Sequence, residues 1–189
     1  MPCCQPDAVN QALGEYLAYL ETLTCIQIDP RLRGKFGMSD IVEQTLVEAW
    51  QDLERLQAFD DAGRKRWLRR VLVNNLLQEI ERWRAQARDP RREQSLGAAA
   101  DESSCRLHSW LAAEDTSPSE RLARQEEALR VLEALSQLPA REREALILQQ
   151  YHGWKLDQIA EHLGCTTNAV AGLQARGRAR LRKALGDWE

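Results

Sequence analysis

The chain has 189 residues and a formal net charge of −3, and its 43% hydrophobic content is enough for one core or two small ones. Helix-forming residues dominate while aromatic residues make up 6%, so the composition predicts an all-α protein and argues against a β fold. No stretch approaches the apolar length of a membrane span and no leader pattern opens the chain, so we expect a cytoplasmic protein without membrane contact.

Charge is distributed unevenly along the chain. Residues 1–61 contain eleven acidic and four basic residues, and residues 93–140 contain nine and four. By contrast, residues 64–92 contain ten basic and three acidic residues, and residues 164–189 contain five and two. Two basic segments in an acidic chain predict two places where a polyanion docks.

The first two predicted helices lie in the acidic N-terminal part. Residues 7–25 place leucines at helical spacing, namely Leu13, Leu17, Leu20 and Leu23. After a loop containing Pro30, a second helix is predicted with Ser39 or Asp40 as its cap. Its apolar stripe is expected to consist of Val42, Leu46, Ala49, Trp50, Leu53 and Leu56.

A third helix is predicted from about Arg64 to Ala87, with two rows of side chains at i, i+4 spacing. The apolar row, which predicts the core face, is Leu68, Leu72, Leu76 and Ile80. The polar row contains no acid and consists of Arg66, Arg70, Asn74, Gln78 and Arg82. Arginine and amide side chains contact phosphates and base edges, although such a row is also typical of a solvated helix face.

Residues 93–116 are small, acidic and weakly periodic, which predicts a flexible linker with one short helix around Leu107 to Leu111. Ser117 and Pro118 then form a helix-start signature, and the helix is expected to run to about Gln137. Leu138-Pro139 ends that helix and begins another. The sequence therefore predicts two small helical domains joined by a linker.

Residues 156–175 predict a helix, a tight turn and a second helix. Ile159, Ala160 and Leu163 face inward, Gly164 tolerates a positive φ in the turn, and Thr166 caps the second helix. Such a helix-turn-helix is typical of DNA binding, although it also occurs as a structural turn.

The last predicted helix has two unlike faces. Its inward side is formed by Val170, Leu173, Gly177 and Leu181. Its outward side is small and uncharged, and consists of Asn168, Ala171, Gly172, Ala175 and Ala179, flanked by Arg176, Arg182 and Lys183. A small outward face suits close approach to a DNA groove, with arginines at its edges for phosphates.

Catalytic and metal-binding classes have little support in the residues. His108, His152 and His162 are scattered, and the five cysteines form no CxxC pair. We therefore expect no enzyme activity, no catalytic residues, no metal and no cofactor. A stand-alone helix-turn-helix regulator, whose N-terminal domain dimerises or senses a signal, remains an alternative.

Three motifs in order give the chain a family resemblance. "SDIVEQTLVEAW" resembles the core-polymerase-binding helix, "RKRWLRRVLVNNLLQEIERWR" the minus-ten-reading helix, and the segment from "LSQLPAREREALIL" to "RARLRKAL" the minus-thirty-five domain of extracytoplasmic-function (ECF, group 4) sigma factors of the sigma-70 family. The resemblance covers about residues 10–185. It implies a sigma2-like bundle at 8–92, a linker at 93–116 and a sigma4-like helix-turn-helix domain at 117–186.

The resemblance also implies roles for individual residues. The contacts with core RNA polymerase would come from Asp40, Val42, Glu43, Gln44, Thr45 and Glu48. The minus-ten element would be bound by Arg66, Arg70, Asn74, Gln78 and Arg82, beside a "QAFDDAG" loop that resembles the pocket for a flipped base. The minus-thirty-five element would be bound by Thr166, Thr167, Asn168, Ala171, Gly172, Ala175, Arg176 and Arg178.

The partners implied are core RNA polymerase, through its β′ clamp helices and β flap, and promoter DNA, with an anti-sigma factor as a further candidate. The chain departs from the family pattern at three places. Glu43-Gln44 reverses a frequent order, Gln78 replaces a common Asp, and Gln174 stands where many members have a core Leu.

The resemblance generates a first prediction, on Arg176. Arg176→Glu should weaken initiation from a promoter that depends on its minus-thirty-five element, because the reversed charge would sit beside phosphate. Binding to core polymerase should not change, since the predicted core contacts lie elsewhere. Run-off transcription and co-purification with core polymerase measure the two effects separately, and unchanged initiation would contradict the prediction.

Overall fold

The computed structural model describes residues 6–86, 90–115 and 119–186, and within them it leaves the side chains of 6–13, 15, 90–95, 113–115 and 119–125 undescribed. The described residues form ten helices and no strand, which confirms the predicted all-α class. The chain divides into two compact units, Met1–Asp115 and Thr116–Glu189. Across the described residues, no helix has the length and apolar character needed to cross a membrane.

The first unit contains six of these helices: α1 Pro6–Gln27, α2 Pro30–Arg33, α3 Met38–Gln51, α4 Leu53–Gln57, α5 Asp61–Gln86 and α6 Pro90–Asp115. The second unit contains the other four: α7 Ser119–Ser136, α8 Ala140–Gln150, α9 Leu156–His162 and α10 Thr167–Leu185. Pro139 separates α7 from α8 as the sequence predicts, whereas Ser117 and Pro118 lie outside the described residues.

Helix α5 lies at the centre of the first unit. The four members of its predicted apolar row are all buried, which confirms that face as the core side. Helix α1 contacts α5 and contributes the fully buried Leu20 and Leu23, whereas Leu17 is partly exposed. The side chain of Leu13 is outside the described set.

The buried face of α3 differs from the predicted stripe. Ile41, Val42, Thr45 and Ala49 are buried, while Trp50 is 43% exposed. The spacing of 41, 45 and 49 follows one side of a 3.6-residue helix, and Thr45 remains compatible with that side because its hydroxyl donates to the Ile41 carbonyl at 2.9 Å. The helix begins at Met38 with Gly37 at the N-cap, so neither Ser39 nor Asp40 caps it.

Residues 93–115, predicted to be part of a linker, belong instead to α6. This helix contacts α1, α2 and α5, and it buries Ala99, Ala100, Ser103 and Leu107 completely. The Ser103 hydroxyl accepts a hydrogen bond from the Asp29 amide at 3.1 Å, and Arg84 pairs with Asp101 at 2.5 Å. Small residues let the helices approach closely, and for that reason the segment gives only a weak hydrophobic signal in the sequence.

The second unit contains the predicted helix, turn and helix as α9, a short turn and α10. Ala145, Leu148, Ile159, Ala160 and Val170 form its buried cluster. Gly164 takes a positive φ of 60°, a conformation in which a Cβ would be strained. The Thr166 hydroxyl accepts from the Ala169 amide at 3.2 Å, which caps α10 as predicted.

The start of α5 is held to α1 by a short polar network. The Tyr16 hydroxyl donates to Asp61 Oδ1 at 2.7 Å, and Lys65 Nζ lies 2.8 Å from Asp61 Oδ2. Hydrogen bonding with Lys65 and then with Tyr16 holds the pKa of the Asp61 carboxyl below its ordinary value, although partial burial opposes this shift. Burial, followed by the bond to Asp61, raises the pKa of Tyr16.

The packing of α6 generates a prediction on Leu107. Leu107→Ala should lower the free energy of unfolding of the first unit by about 2–5 kcal/mol, because it leaves a cavity at a fully buried site. Chemical denaturation of the full chain measures this loss, with His108→Ala, an exposed neighbour on the same helix, as the control. Equal stability of the two variants would contradict the packed position of α6.

The network at Asp61 generates a prediction on pH. A carboxyl whose pKa is lowered in the folded state stabilises the fold at pH values above its unfolded pKa of about 3.9. This contribution is lost as the pH falls through the folded pKa. Asp61→Asn should therefore lower the melting temperature at neutral pH, and the difference from wild type should shrink in acid. Asp52→Asn, at an exposed carboxyl without a cap hydrogen bond, is the control, and a difference independent of pH would contradict the assignment.

Candidate nucleic-acid interface

The outward face of α10 is open to solvent in the second unit. Thr166, Thr167, Asn168, Ala171 and Ala175 are exposed, and Gly172 is partly exposed. From Thr166 to Ala175, the exposed side chains with hydrogen-bonding groups are those of the two threonines and Asn168, and Thr166 already caps the helix. The middle of this face is therefore small and uncharged, with its polar groups at the N-terminal end.

Two arginines of α10 are tied to one acid of α8. Glu142 is 5% exposed. Its Oε1 accepts from Arg176 Nε at 3.3 Å, and Arg180 Nε lies 3.2 Å from its Oε2 in an ion pair without hydrogen-bond geometry. A buried carboxylate needs such partners to offset its lost hydration. Glu142 could not be singled out from the sequence, because a glutamate in a first helical turn is commonplace.

A third arginine of α10, Arg178, is held by amides. Its Nη2 donates to the side-chain oxygens of Gln149 on α8 and Gln174 on α10, at 3.1 Å each. Gln174 is buried at a position where the resemblance implies leucine, and its Nε2 is 3.4 Å from the Ala145 carbonyl oxygen. The buried amide therefore connects α8 with the arginine side of α10.

The predicted minus-ten row of α5 is exposed along its whole length. Arg66, Arg70, Asn74, Gln78 and Arg82 all face solvent, while the row Leu68 to Ile80 is buried. Arg82 pairs with Glu79 of the same helix. Only residues 58–60 of the "QAFDDAG" segment lie between α4 and α5, and Asp60 Oδ1 accepts from the Gly63 amide at 2.8 Å at the start of α5.

The predicted polymerase-binding set is divided by the fold. Asp40, Glu43 and Gln44 are exposed and Glu48 is half-buried. Val42 and Thr45, however, are 1% and 0% exposed, because both lie on the core side of α3. These two side chains pack α3 into the first unit, and a contact between them and a partner stays a prediction.

A polar groove of about 510 Å³ joins the two predicted surfaces of the first unit. Asp40, Gln44 and Glu48 line its α3 side, and Gln78 and Arg82 line its α5 side. At its base, the Asn75 amide donates to Thr45 Oγ1 at 3.2 Å and to Glu48 Oε1 at 3.1 Å. Asn75 was not predicted from the sequence as a functional residue, because only the neighbouring Asn74 falls on the polar row.

Metal chemistry has no candidate site within the residues that are described. No group of three or more His, Cys, Asp or Glu side chains is arranged there to hold an ion. Among the histidines, His162 lies 3.0 Å from Glu144 and packs edge-on against Trp154, which is a local packing arrangement in the second unit. What the site offers is arginine, amide and hydroxyl groups for binding.

A known family model matches most of the second unit, and similar proteins match most of the chain. Residues 128–181 match the family model described as Sigma-70, region 4. The chain is 33% identical over 93% of its length to a probable RNA polymerase sigma factor RfaY of Xanthomonas campestris pv. campestris. It is 28% identical over 78% of its length to the RNA polymerase sigma factor CnrH of Cupriavidus metallidurans, and 30% identical over 67% to the ECF RNA polymerase sigma factor SigM of Mycobacterium tuberculosis.

The chain spans 41% of the Xanthomonas protein, 73% of the Cupriavidus protein and 54% of the mycobacterial protein. The family match includes α8, α9 and most of α10, and therefore the arginines and the small outward face described above. Residues 128–181 thus carry a sigma-70 region 4 domain, in a chain that is similar along most of its length to RNA polymerase sigma factors.

Proposed function

We propose that this protein is an ECF sigma factor of group 4 that directs core RNA polymerase to specific promoters. The first unit would bind core polymerase and the minus-ten element, and the second unit the minus-thirty-five element. The protein would act in the cytoplasm, where its DNA lies, and would make or break no covalent bond itself.

The observation that carries the proposal is the outward face of α10. A face of Ala171, Gly172 and Ala175 lets the helix backbone approach the floor of a major groove. Arg176, at its edge, suits the phosphates on the groove wall. Asn168 and Thr167 are the side chains placed to recognise bases, since asparagine can form two hydrogen bonds with adenine.

The polar row of α5 supports a second DNA contact in the first unit. Its arginines suit the phosphates of a DNA strand, while Asn74 and Gln78 between them suit base edges. Opening the duplex there requires a base to leave the stack, at a cost of a few kcal/mol. Contacts with the polymerase would supply part of that free energy, so we expect strong promoter binding only from the complex with core polymerase.

The polymerase contact would be made by the exposed acidic part of α3. Asp40, Glu43 and Gln44 remain available there, with Glu48 at the edge of the groove, and such a surface suits a basic partner such as the β′ clamp helices. The second unit would contact the β flap. An anti-sigma factor that covers one of these surfaces is a candidate regulator.

The proposal predicts that the full chain co-purifies with core polymerase and that the complex transcribes particular genomic fragments in run-off assays. Glu43→Arg should abolish co-purification, because it reverses the charge in the acidic surface. Glu127→Arg, at an exposed position on α7, is the matched control and should leave co-purification intact. Failure of the wild type to bind core polymerase, together with tight and specific duplex binding by the chain alone, would favour a stand-alone regulator instead.

A further inference from the structure

A glutamine side chain is buried where α10 packs against α8. Gln174 is 3% exposed, and its Nε2 donates to the Ala145 carbonyl oxygen over a long distance of 3.4 Å. Its Oε1 accepts from Arg178 Nη2 at 3.1 Å. Burial of an amide costs free energy that one long and one ordinary hydrogen bond offset only in part, whereas an apolar side chain carries no such cost. The packing of the two helices therefore does not require an amide at this position.

The partner of this buried amide is an exposed arginine. Arg178 Nη2 donates to Gln174 Oε1 and also to Gln149 Oε1 of α8, at 3.1 Å each. The Gln149 side chain is half-buried, so one amide holds the guanidinium from the core and the other from α8. Both bonds use the same nitrogen, and no group among the described residues binds Nε or Nη1. Arg178 is therefore held at one end, and its remaining donors stay available.

Arg178 and Arg176 lie on opposite edges of the outward face of α10. At about 100° per residue, Arg176 is about 80° to one side of Asn168 and Arg178 is about 80° to the other. Arg176 contacts the buried carboxylate of Glu142, whereas uncharged amides hold Arg178. An amide oxygen fixes a guanidinium without neutralising it, so Arg178 keeps its full positive charge for an anionic partner.

We propose that Gln174 is a positioning residue, which holds the Arg178 guanidinium at one edge of the outward face before a DNA phosphate binds to it. This role rests on the proposed function, since it assumes that α10 lies along DNA. Leucine, which the family resemblance implies for position 174, has no atom that could accept a hydrogen bond from Arg178. The hold on Arg178 therefore comes from a residue in which this chain departs from the family pattern.

A side chain that is held in advance binds DNA at a lower entropic cost. A free arginine side chain samples many rotamers, and their loss on binding weakens the complex. In this protein, the bonds to Gln149 and Gln174 restrict Arg178 already in the folded chain. Removal of the hold should therefore weaken DNA binding about two- to tenfold, although every positive charge remains.

The first test is Gln174→Met in the full chain, titrated with a labelled duplex of unrelated sequence between about 50 and 200 mM salt. Methionine keeps an unbranched side chain and removes the oxygen that accepts from Arg178. Binding should weaken about two- to tenfold, while the slope of log K against log salt stays the same because no charge is lost. Gln150→Met, at an exposed position at the end of α8, is the control and should bind like wild type. Equal affinity of the two variants would overturn the proposal.

The second test asks whether Gln174 acts through Arg178. Arg178→Gln should weaken binding and reduce the slope of log K against log salt by about one, because it removes one phosphate contact. In the Arg178→Gln background, Gln174→Met should cause no further loss of affinity. A second loss of similar size in the double variant would show that the two residues act independently, and the positioning role would be wrong.

Thermal melting separates positioning from a purely structural role. Gln174→Met should melt at or above the wild-type temperature, because an apolar side chain replaces a buried amide, while its DNA affinity falls. If this variant melts at a lower temperature, Gln149→Ala takes its place, since it removes the second amide from a half-buried position. It should also weaken binding without changing the salt slope, and wild-type affinity in a folded Gln149→Ala chain would overturn the proposal.

The titrations use the chain without polymerase, so the positioning role and the sigma-factor proposal can fail separately. A chain that does not bind core polymerase but loses duplex affinity with Gln174→Met would refute the sigma-factor proposal and retain the positioning role. Co-purification with core polymerase, together with wild-type duplex affinity in the Gln174→Met variant, would retain the sigma-factor proposal and overturn the positioning role.

Discussion

The close approach of α8 and α10 at Gly177 is the constraint on which the second unit depends. A Cβ at this glycine would lie 2.8 Å from Leu146 Cδ1 and 3.5 Å from Glu142 Cβ, so the two helices meet there backbone to side chain. This contact brings a buried carboxylate of α8 beside the arginines of α10. The same geometry that packs the core therefore also arranges the charges along the outer edge of α10.

Much of the fold is predictable from the hydrophobic periodicity of the sequence. The elements that were not predicted have physical reasons for it. The buried row of α5 and the turn at Gly164 could be predicted, because large apolar residues and a positive φ leave clear signals. Helix α6 could not, since it packs through Ala99, Ala100 and Ser103. The composition of a segment indicates how apolar it is. It does not indicate that small side chains will let the segment pack closely against another helix.

The exposed residues of the candidate site were predictable where their exposure depends only on which face of a helix they occupy. The outward sides of α5 and α10 follow from helical phase, and their predicted members are at the surface. Contacts between helices distant in sequence were not predictable, such as Asn75 with Thr45 or Arg176 with Glu142. These contacts depend on which helices become neighbours, and a single sequence without pairing information does not specify that choice. The burial of Val42 and Thr45 was not predictable from the motif, because a motif implies a helix and not the side of it that faces the core.

The polar groove between α3 and α5 has a thermodynamic consequence. Gln44 and Glu48 lie across it from Gln78 and Arg82, and Asn75 bonds both helices together at its base. A ligand on one side would change the hydration and the side-chain rotamers of the other side, so two binding events in this groove would be thermodynamically coupled. Such coupling is reciprocal: if α3 binds polymerase and α5 binds a DNA strand, as proposed, the factor by which polymerase strengthens DNA binding equals the factor by which DNA strengthens polymerase binding. Release of the DNA strand would then weaken the grip on polymerase by the same factor.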